Sequence, residues 1–136
     1  LIVDWDVHHG NGTQAIFYAD PKVLYFSTHQ YPFYPGTGAE TESGEGPGEG
    51  ATLNVPGPAG AGDEDLVRAF REKLVPAAER FRPEFVLVSA GFDAHRRDPL
   101  AQLRLTEAGF AELTRIVMEV AERFAGAGRL PPGGGV

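Results

Sequence analysis

The 136 residues contain no cysteine, which excludes disulfides and thiolate metal sites, so a bound metal must rely on histidine and carboxylate. That absence also fits a reducing compartment. No apolar run approaches the roughly 20 residues needed to cross a bilayer. The start has neither the basic stretch nor the long apolar segment of a signal peptide, and a cytoplasmic chain with no membrane contact is expected. Positive charge is scarce: 12 Lys and Arg against 19 Asp and Glu leave a net charge of −7, which argues against direct nucleic-acid binding. The acidic balance is compatible with a cationic substrate, although most acidic proteins are merely soluble. An initiating methionine is also missing. The chain opens on Leu1, inside an apolar strand-like run, and reads as beginning at a cut edge.

What is present suits one core-forming domain, with 42% hydrophobic residues. Leu1 to Asp6, Val23 to Ser27 and Phe85 to Ser89 are short β-branched and aromatic runs expected as strands, the last two buried. Leu66, Phe70, Leu74, Ala78 and Phe81 recur at helical steps between Asp63 and Arg82. Three acidic residues suit the start of that helix, Pro83 stops it, and Pro76 should kink it. Phe110, Leu113, Val117, Val120 and Phe124 share the face of a second helix, with Thr106 placed to cap it. Gly12 to Tyr18 suggests a short third helix. Strands separated by helices predict an α/β fold with a parallel sheet flanked by helices. The Gly- and Pro-dense stretch from Tyr31 to Gly62 reads as loop, apart from a strand at Thr52 to Val55. It is longer than a passive connection needs, so it is either functional or disordered.

The chemistry concentrates in Asp4-Trp-Asp-Val-His-His-Gly-Asn-Gly-Thr13. Residues two apart in a strand face the same side, so Asp4, Asp6 and His8 line up against Val3, Trp5 and Val7 on the other face. Three ionisable groups on one face of an apolar strand are costly unless paired, and a divalent cation pairs with them directly. A second strand ends in Gly91-Phe-Asp-Ala-His95, which brings Asp93 to the same carboxyl end of the sheet, where ligands bind in open α/β folds. Asp6, His8 and Asp93 would leave positions open for water and substrate, as catalytic zinc sites do. Spacing alone leaves another explanation open, because carboxylates at strand ends also cap the helix that follows. His9 points away from His8 and suits packing or hydrogen bonding, while His29 and His95 are expected in loops at the surface.

The stretch Asp4 to Gln14 closely resembles the zinc-binding segment of histone deacetylases, especially class II enzymes and their bacterial amidohydrolase relatives. The similarity continues through Val23 to His29, Tyr34 to Gly38, Leu53 to Pro56 and Leu87 to His95, then Asp98-Pro-Leu100. The resemblance implies the arginase-deacetylase fold, incomplete at both ends here, with zinc on Asp6, His8 and Asp93. It further implies potassium beside the zinc, held by Asp4, Ser27 and backbone carbonyls that include Thr28. Tyr34 corresponds to an aromatic wall of the acyl-lysine channel and Leu100 to an apolar residue at its mouth.

Residues 1–130 thus read as a partial catalytic domain and residues 131–136 as a divergent or truncated tail. In the family a histidine pair moves protons and a tyrosine after a Gly-rich turn stabilises the oxyanion. The pair belongs upstream of residue 1, and Val136 follows Gly133 to Gly135 where the tyrosine is expected. The resemblance therefore places no catalytic proton-transfer residue in the chain. The expected function is a zinc-dependent deacetylase acting on acetyl-lysine, acetylated polyamines or other small amides, with this chain inactive alone. The alternative is a non-catalytic remnant or binding module of the same fold.

Overall fold

The structure, a computed structural model, describes residues 1–125. The end of the expected domain, 126–130, and the tail 131–136 lie outside the described residues. Four short strands, β1 (Ile2–Asp4), β2 (Tyr25–Gln30), β3 (Thr52–Gly57) and β4 (Leu87–Ser89), form one parallel sheet in the order β3-β2-β1-β4. Parallel neighbours need crossovers. Helix α1 (Asn11–Phe17) lies between β1 and β2, and the helical stretch from Asp63 to Phe81 lies between β3 and β4.

Register divides the sheet by chemistry. Val3 pairs with Phe26 and Val88, and Phe26 pairs with Leu53, giving one apolar row across the strands. One position further on, Asp4 pairs with Ser27 and Ser89, and Ser27 pairs with Asn54. Side chains alternate faces along a strand, so this polar row lies on the opposite side from the apolar one. The helical stretch from Asp63 to Phe81 covers the apolar side, while α1 reaches the polar row through Gln14, which accepts from Asn54. The Phe70 ring lies 5.1 Å from that of Phe26 at 88° and 6.3 Å from that of Trp5, a packing that anchors the helical layer to the sheet.

The stretch expected as one kinked helix is divided into α2 (Asp63–Ala69), a wide π turn (Phe70–Leu74) and α3 (Val75–Phe81). Pro76 has no N–H to donate to the preceding turn, and its ring crowds the carbonyl four residues back. The wide turn, in which the Val75 N–H reaches back to the Phe70 carbonyl, relieves both without breaking the rod. The second helix, α4 (Glu107–Phe124), buries Leu113, Ile116, Val117 and Val120. Thr106 caps it, accepting from the Gly109 N–H, and itself donates through its N–H and hydroxyl to Asp63, at 2.8 and 2.6 Å. The starts of α2 and α4 are tied together there. No helix among the described residues is long and apolar enough to cross a membrane.

Three expectations need correction. β4 is not buried: Leu87 and Val88 are 54% and 40% exposed, because β4 is the edge of the sheet. His29 is not a surface loop residue: β2 runs on to Gln30, and His29 is 1% exposed on the polar side. His95 bridges to Leu105 by its backbone and lies with its ring over Phe110, its side chain 19% exposed.

Candidate metal centre

β1 ends at Asp4, yet the Trp5 N–H still donates to the Ser89 carbonyl and the Gln30 N–H to that of Val7, and the alternation of faces persists: Trp5, Val7 and His9 are buried while Asp6 and His8 are half-exposed. The turn that follows is held by its own carboxylates. Asp4 Oδ1 accepts from the Asp6 N–H at 3.1 Å, and Asp6 Oδ1 accepts from the His8 N–H at 2.7 Å. Asp93, beyond the end of β4, accepts from the Val7 N–H at 3.0 Å. Backbone donors thus orient both outer carboxylates before any metal is considered.

These constraints bring Asp6, His8 and Asp93 together, with one ligand atom from each lying within 4.8 Å of the others. His8 Nδ1 sits 3.1 Å from Asp6 Oδ1 and 3.0 Å from Asp93 Oδ2. Separations of this size allow one ion to be reached by all three donors at about 2.0–2.2 Å. Two carboxylates and one imidazole are a chemically suitable zinc set, so the residues fit the metal that the resemblance implies. Gly91 makes the convergence possible. A Cβ there would overlap the Asp6 carboxylate, so β4 approaches β1 this closely only with glycine at that position.

Asp4 points into the interior at 2% exposure. It accepts from the Tyr25 hydroxyl at 3.1 Å, and burial pushes its carboxyl up to about 6, against the bonds from Asp6 and Tyr25 that favour the ionised form. Ser27 is its register partner on β2, but the Ser27 hydroxyl contacts His29 Nδ1 at 2.9 Å rather than Asp4. The Thr28 hydroxyl is buried with no hydrogen-bond partner. An oxygen-dominated set of carboxylate, hydroxyl and carbonyl groups suits a hard cation.

Tyr34 stands edge-on to the His8 ring, with centroids 6.2 Å apart, and is 77% exposed. Phe33, which no motif in the sequence marks, lies flatter on the same ring at 5.3 Å and 20°. Leu100 is 84% exposed on a turn held by Asp98, which accepts from the Leu100 and Ala101 N–H groups.

A polar network lies behind the centre and takes up His9 in the hydrogen-bonding role expected of it. His9 contacts the Thr37 hydroxyl through Nδ1 at 2.7 Å and Gln14 Oε1 through Nε2 at 2.9 Å. Gln14 donates to Glu42 at 2.7 Å, and Asn54 donates to Gln14 Oε1 at 2.7 Å. Burial raises the Glu42 carboxyl, but bonds from Gln14 and from the Gly38 and Ala39 N–H groups outweigh it and hold Glu42 below its usual value. Burial likewise pushes His29 down to about 4 and lowers His9. The sequence signals for this network are the hydrogen-bonding role expected of His9 and the length of the loop from Tyr31 to Gly62, whereas Gln14, Thr37 and Asn54 fall in matched segments without a role of their own, and Glu42 falls in none.

A sequence profile described as the histone deacetylase domain matches residues 1–135. The chain is 52% identical over 126 residues to "Histone deacetylase 10, chloroplastic" of Oryza sativa subsp. japonica, covering 93% of this chain and 28% of that protein. It is 50% identical over 122 residues to a "Probable deacetylase" of Archaeoglobus fulgidus, covering 90% of this chain and 34% of that one. With "Histone deacetylase-like amidohydrolase" of Pseudomonas aeruginosa it shares 47% identity over 130 residues, 95% of this chain and 34% of the other. The solved structure of the histone deacetylase Clr3 superposes with a TM-score of 0.85 at 50% identity, over 89% of this chain and 21% of that one. The chain thus spans about a third or less of the length of these relatives. Its parallel sheet flanked by helices is the arginase-deacetylase arrangement, and by sequence and fold alike the chain belongs to the histone deacetylase family.

Proposed function

We propose that residues 1–125 form the metal-binding part of a zinc-dependent amidohydrolase that removes acetyl groups from acylated amines, either acetyl-lysine or an acetylated polyamine. The observation that carries this reading is the position of His8 Nδ1 between the carboxylates of Asp6 and Asp93 at the carboxyl end of a parallel sheet. Bound zinc would supply Lewis-acid polarisation of the acetyl carbonyl. The chain's own contribution is to hold the metal on Asp6, His8 and Asp93, and to fix the carboxylates through the His8 and Val7 N–H groups. Asp4, Ser27 and the carbonyl of Thr28 would hold potassium behind the zinc, where a cation would keep buried Asp4 ionised.

Phe33 and Tyr34 border His8 on one side and suit the aliphatic stem of an acylated amine, with Leu100 assigned to the mouth of the channel. Proton transfer and oxyanion stabilisation need groups that these residues do not supply. His9 and His29 are taken up in internal hydrogen bonds, and the resemblance assigns the proton-transfer pair and the oxyanion tyrosine to none of the residues 1–125. A missing general base typically costs 10²–10⁴-fold and a missing oxyanion donor about 10²–10³-fold, without simple multiplication of the two. We therefore expect negligible hydrolysis by the 136-residue chain. A cytoplasmic setting accompanies this reading.

The experiment is a graft of residues 1–125 in place of the matching stretch of the Pseudomonas aeruginosa amidohydrolase, assayed on acetyl-lysine and acetylpolyamine substrates. The grafted protein should bind zinc and turn over, and Asp93→Ala within it should abolish both. A graft that binds zinc yet hydrolyses neither substrate would favour the non-catalytic reading of the fold.

A further inference from the structure

In the loop that carries Phe33 and Tyr34, Phe33 packs against the edge of the core, whereas Tyr34 is 77% exposed and is not held by packing of its own. Its anchorage lies a few residues further on, at Thr37, Gly38 and Ala39. Gly38 has φ +93°, a backbone region that favours glycine, and a Cβ there would overlap the rings of His9 and His29. The loop can therefore sit directly on the two buried histidines. His29 Nε2 donates to the Gly38 carbonyl at 2.8 Å, and the Thr37 hydroxyl pairs with His9 Nδ1. The Gly38 N–H lies 3.0 Å from both oxygens of Glu42, and the Ala39 N–H lies 3.2 Å from Oε1.

Donor and acceptor roles then run in one direction. The Glu42 carboxylate accepts at its Oε2 from Gln14 Nε2, which leaves Gln14 Oε1 to accept from Asn54 and from His9 Nε2. With Nε2 donating, His9 Nδ1 is an acceptor and can take the Thr37 hydroxyl proton. The bonds from Gln14, Gly38 and Ala39 end on the acceptor-only group at position 42, and through Gln14 it also sets the donor role of His9 Nε2. Glu42 touches none of Asp6, His8 and Asp93, yet it fixes both the loop backbone after Tyr34 and the tautomer of the residue next to His8.

We propose that Glu42 is the positioning residue for the Phe33–Tyr34 wall: it sets the distance of that wall from His8 and so the width available to the acyl chain. The functional half of this assignment rests on the deacetylase reading, whereas the structural half does not.

The test uses the 136-residue chain, isotope-labelled, with the His8 ring protons as reporter. A stacked Phe33 shifts them by its ring current, and both aromatic rings give cross-relaxation to them. Glu42→Gln keeps the size of the side chain but turns one oxygen into a donor, which must face the Gln14, Gly38 or Ala39 donors. We expect Glu42→Gln to weaken the His8–Phe33 and His8–Tyr34 cross-peaks, move the His8 ring signals, and speed exchange of the Gly38 amide at least about tenfold. Combining Glu42→Gln with Gln14→Glu reverses the polarity of the 2.7 Å contact and should restore all three readouts. A purely space-filling role for Glu42 predicts no rescue. Methyl signals of Leu66 and Leu113 report whether the core is intact. If the single variant fails to fold, recovery of the wild-type spectrum by the pair supports the proposal equally. His8 signals unchanged in Glu42→Gln, or a pair variant as perturbed as the single one, would overturn the proposal. Zinc titration of the same samples separates this outcome from failure of the deacetylase reading, because a wild-type chain that binds no zinc contradicts that reading whatever the loop does.

Discussion

Gly91 shows how one residue without a side chain can decide whether three candidate metal ligands meet. The backbone after β4 passes so close to Asp6 that any Cβ would overlap its carboxylate. Gly91→Ala should therefore displace Asp6 and weaken zinc binding by about 10–100-fold, in the range found for residues that orient metal ligands. Competition with a chromophoric chelator measures this, and an affinity equal to wild type would contradict it. His29 offers a pH test. Burial holds it near pH 4, below the value of 6.5 it regains on unfolding, so its neutral form is favoured in the folded chain. The associated stability is full above 6.5 and is lost as pH falls through about 4, amounting to about 3 kcal/mol at most. Asp4, raised to about 6, works in the opposite sense, since its protonated form is the one favoured by folding. The comparison that isolates His29 is wild type against His29→Gln in urea unfolding. The advantage of wild type should shrink between pH 6.5 and 4, and a constant difference would exclude the assignment. The convergence of Asp6, His8 and Asp93 is legible in the sequence because strand period and strand ends place them together. His29 is not, because β2 continues past its apolar run into Thr28, His29 and Gln30, whose polar side chains are buried by a loop that periodicity does not foresee.

At the scale of elements, α4 begins where Thr106 and Asp63 meet. Thr106→Ala removes the cap to Gly109 and the hydroxyl bond to Asp63 together. It should cost about 1–2 kcal/mol, read as a lower urea midpoint with an unchanged slope. No change would show that the cap is dispensable. Both long helical patterns are readable because their apolar residues recur on one face. The π turn before Pro76 is not, since the sequence announces the lost N–H but not which turn will absorb it. β4 is a strand as expected, yet it is not buried. Its Val and Leu residues report a strand that can be covered on both faces, whereas burial depends on what packs there.

At the scale of the molecule, Phe85, Leu87, Val88 and Phe92 are all at least 40% exposed among the described residues, along and just beyond one edge of the sheet. An unpaired strand edge flanked by apolar side chains favours association. Sedimentation of the chain should show concentration-dependent self-association that Leu87→Lys reduces, and a monodisperse monomer at high concentration would count against this. The central claim is narrower, that Asp6, His8 and Asp93 hold one zinc. Its most direct test is an equilibrium zinc titration of the metal-free 136-residue chain beside Asp93→Ala. The wild-type chain should bind one tight zinc, weakened more than about 10²-fold in Asp93→Ala, beyond the cost of losing an orienting partner alone. No zinc bound by the wild-type chain, or equal affinity in the two proteins, would contradict it.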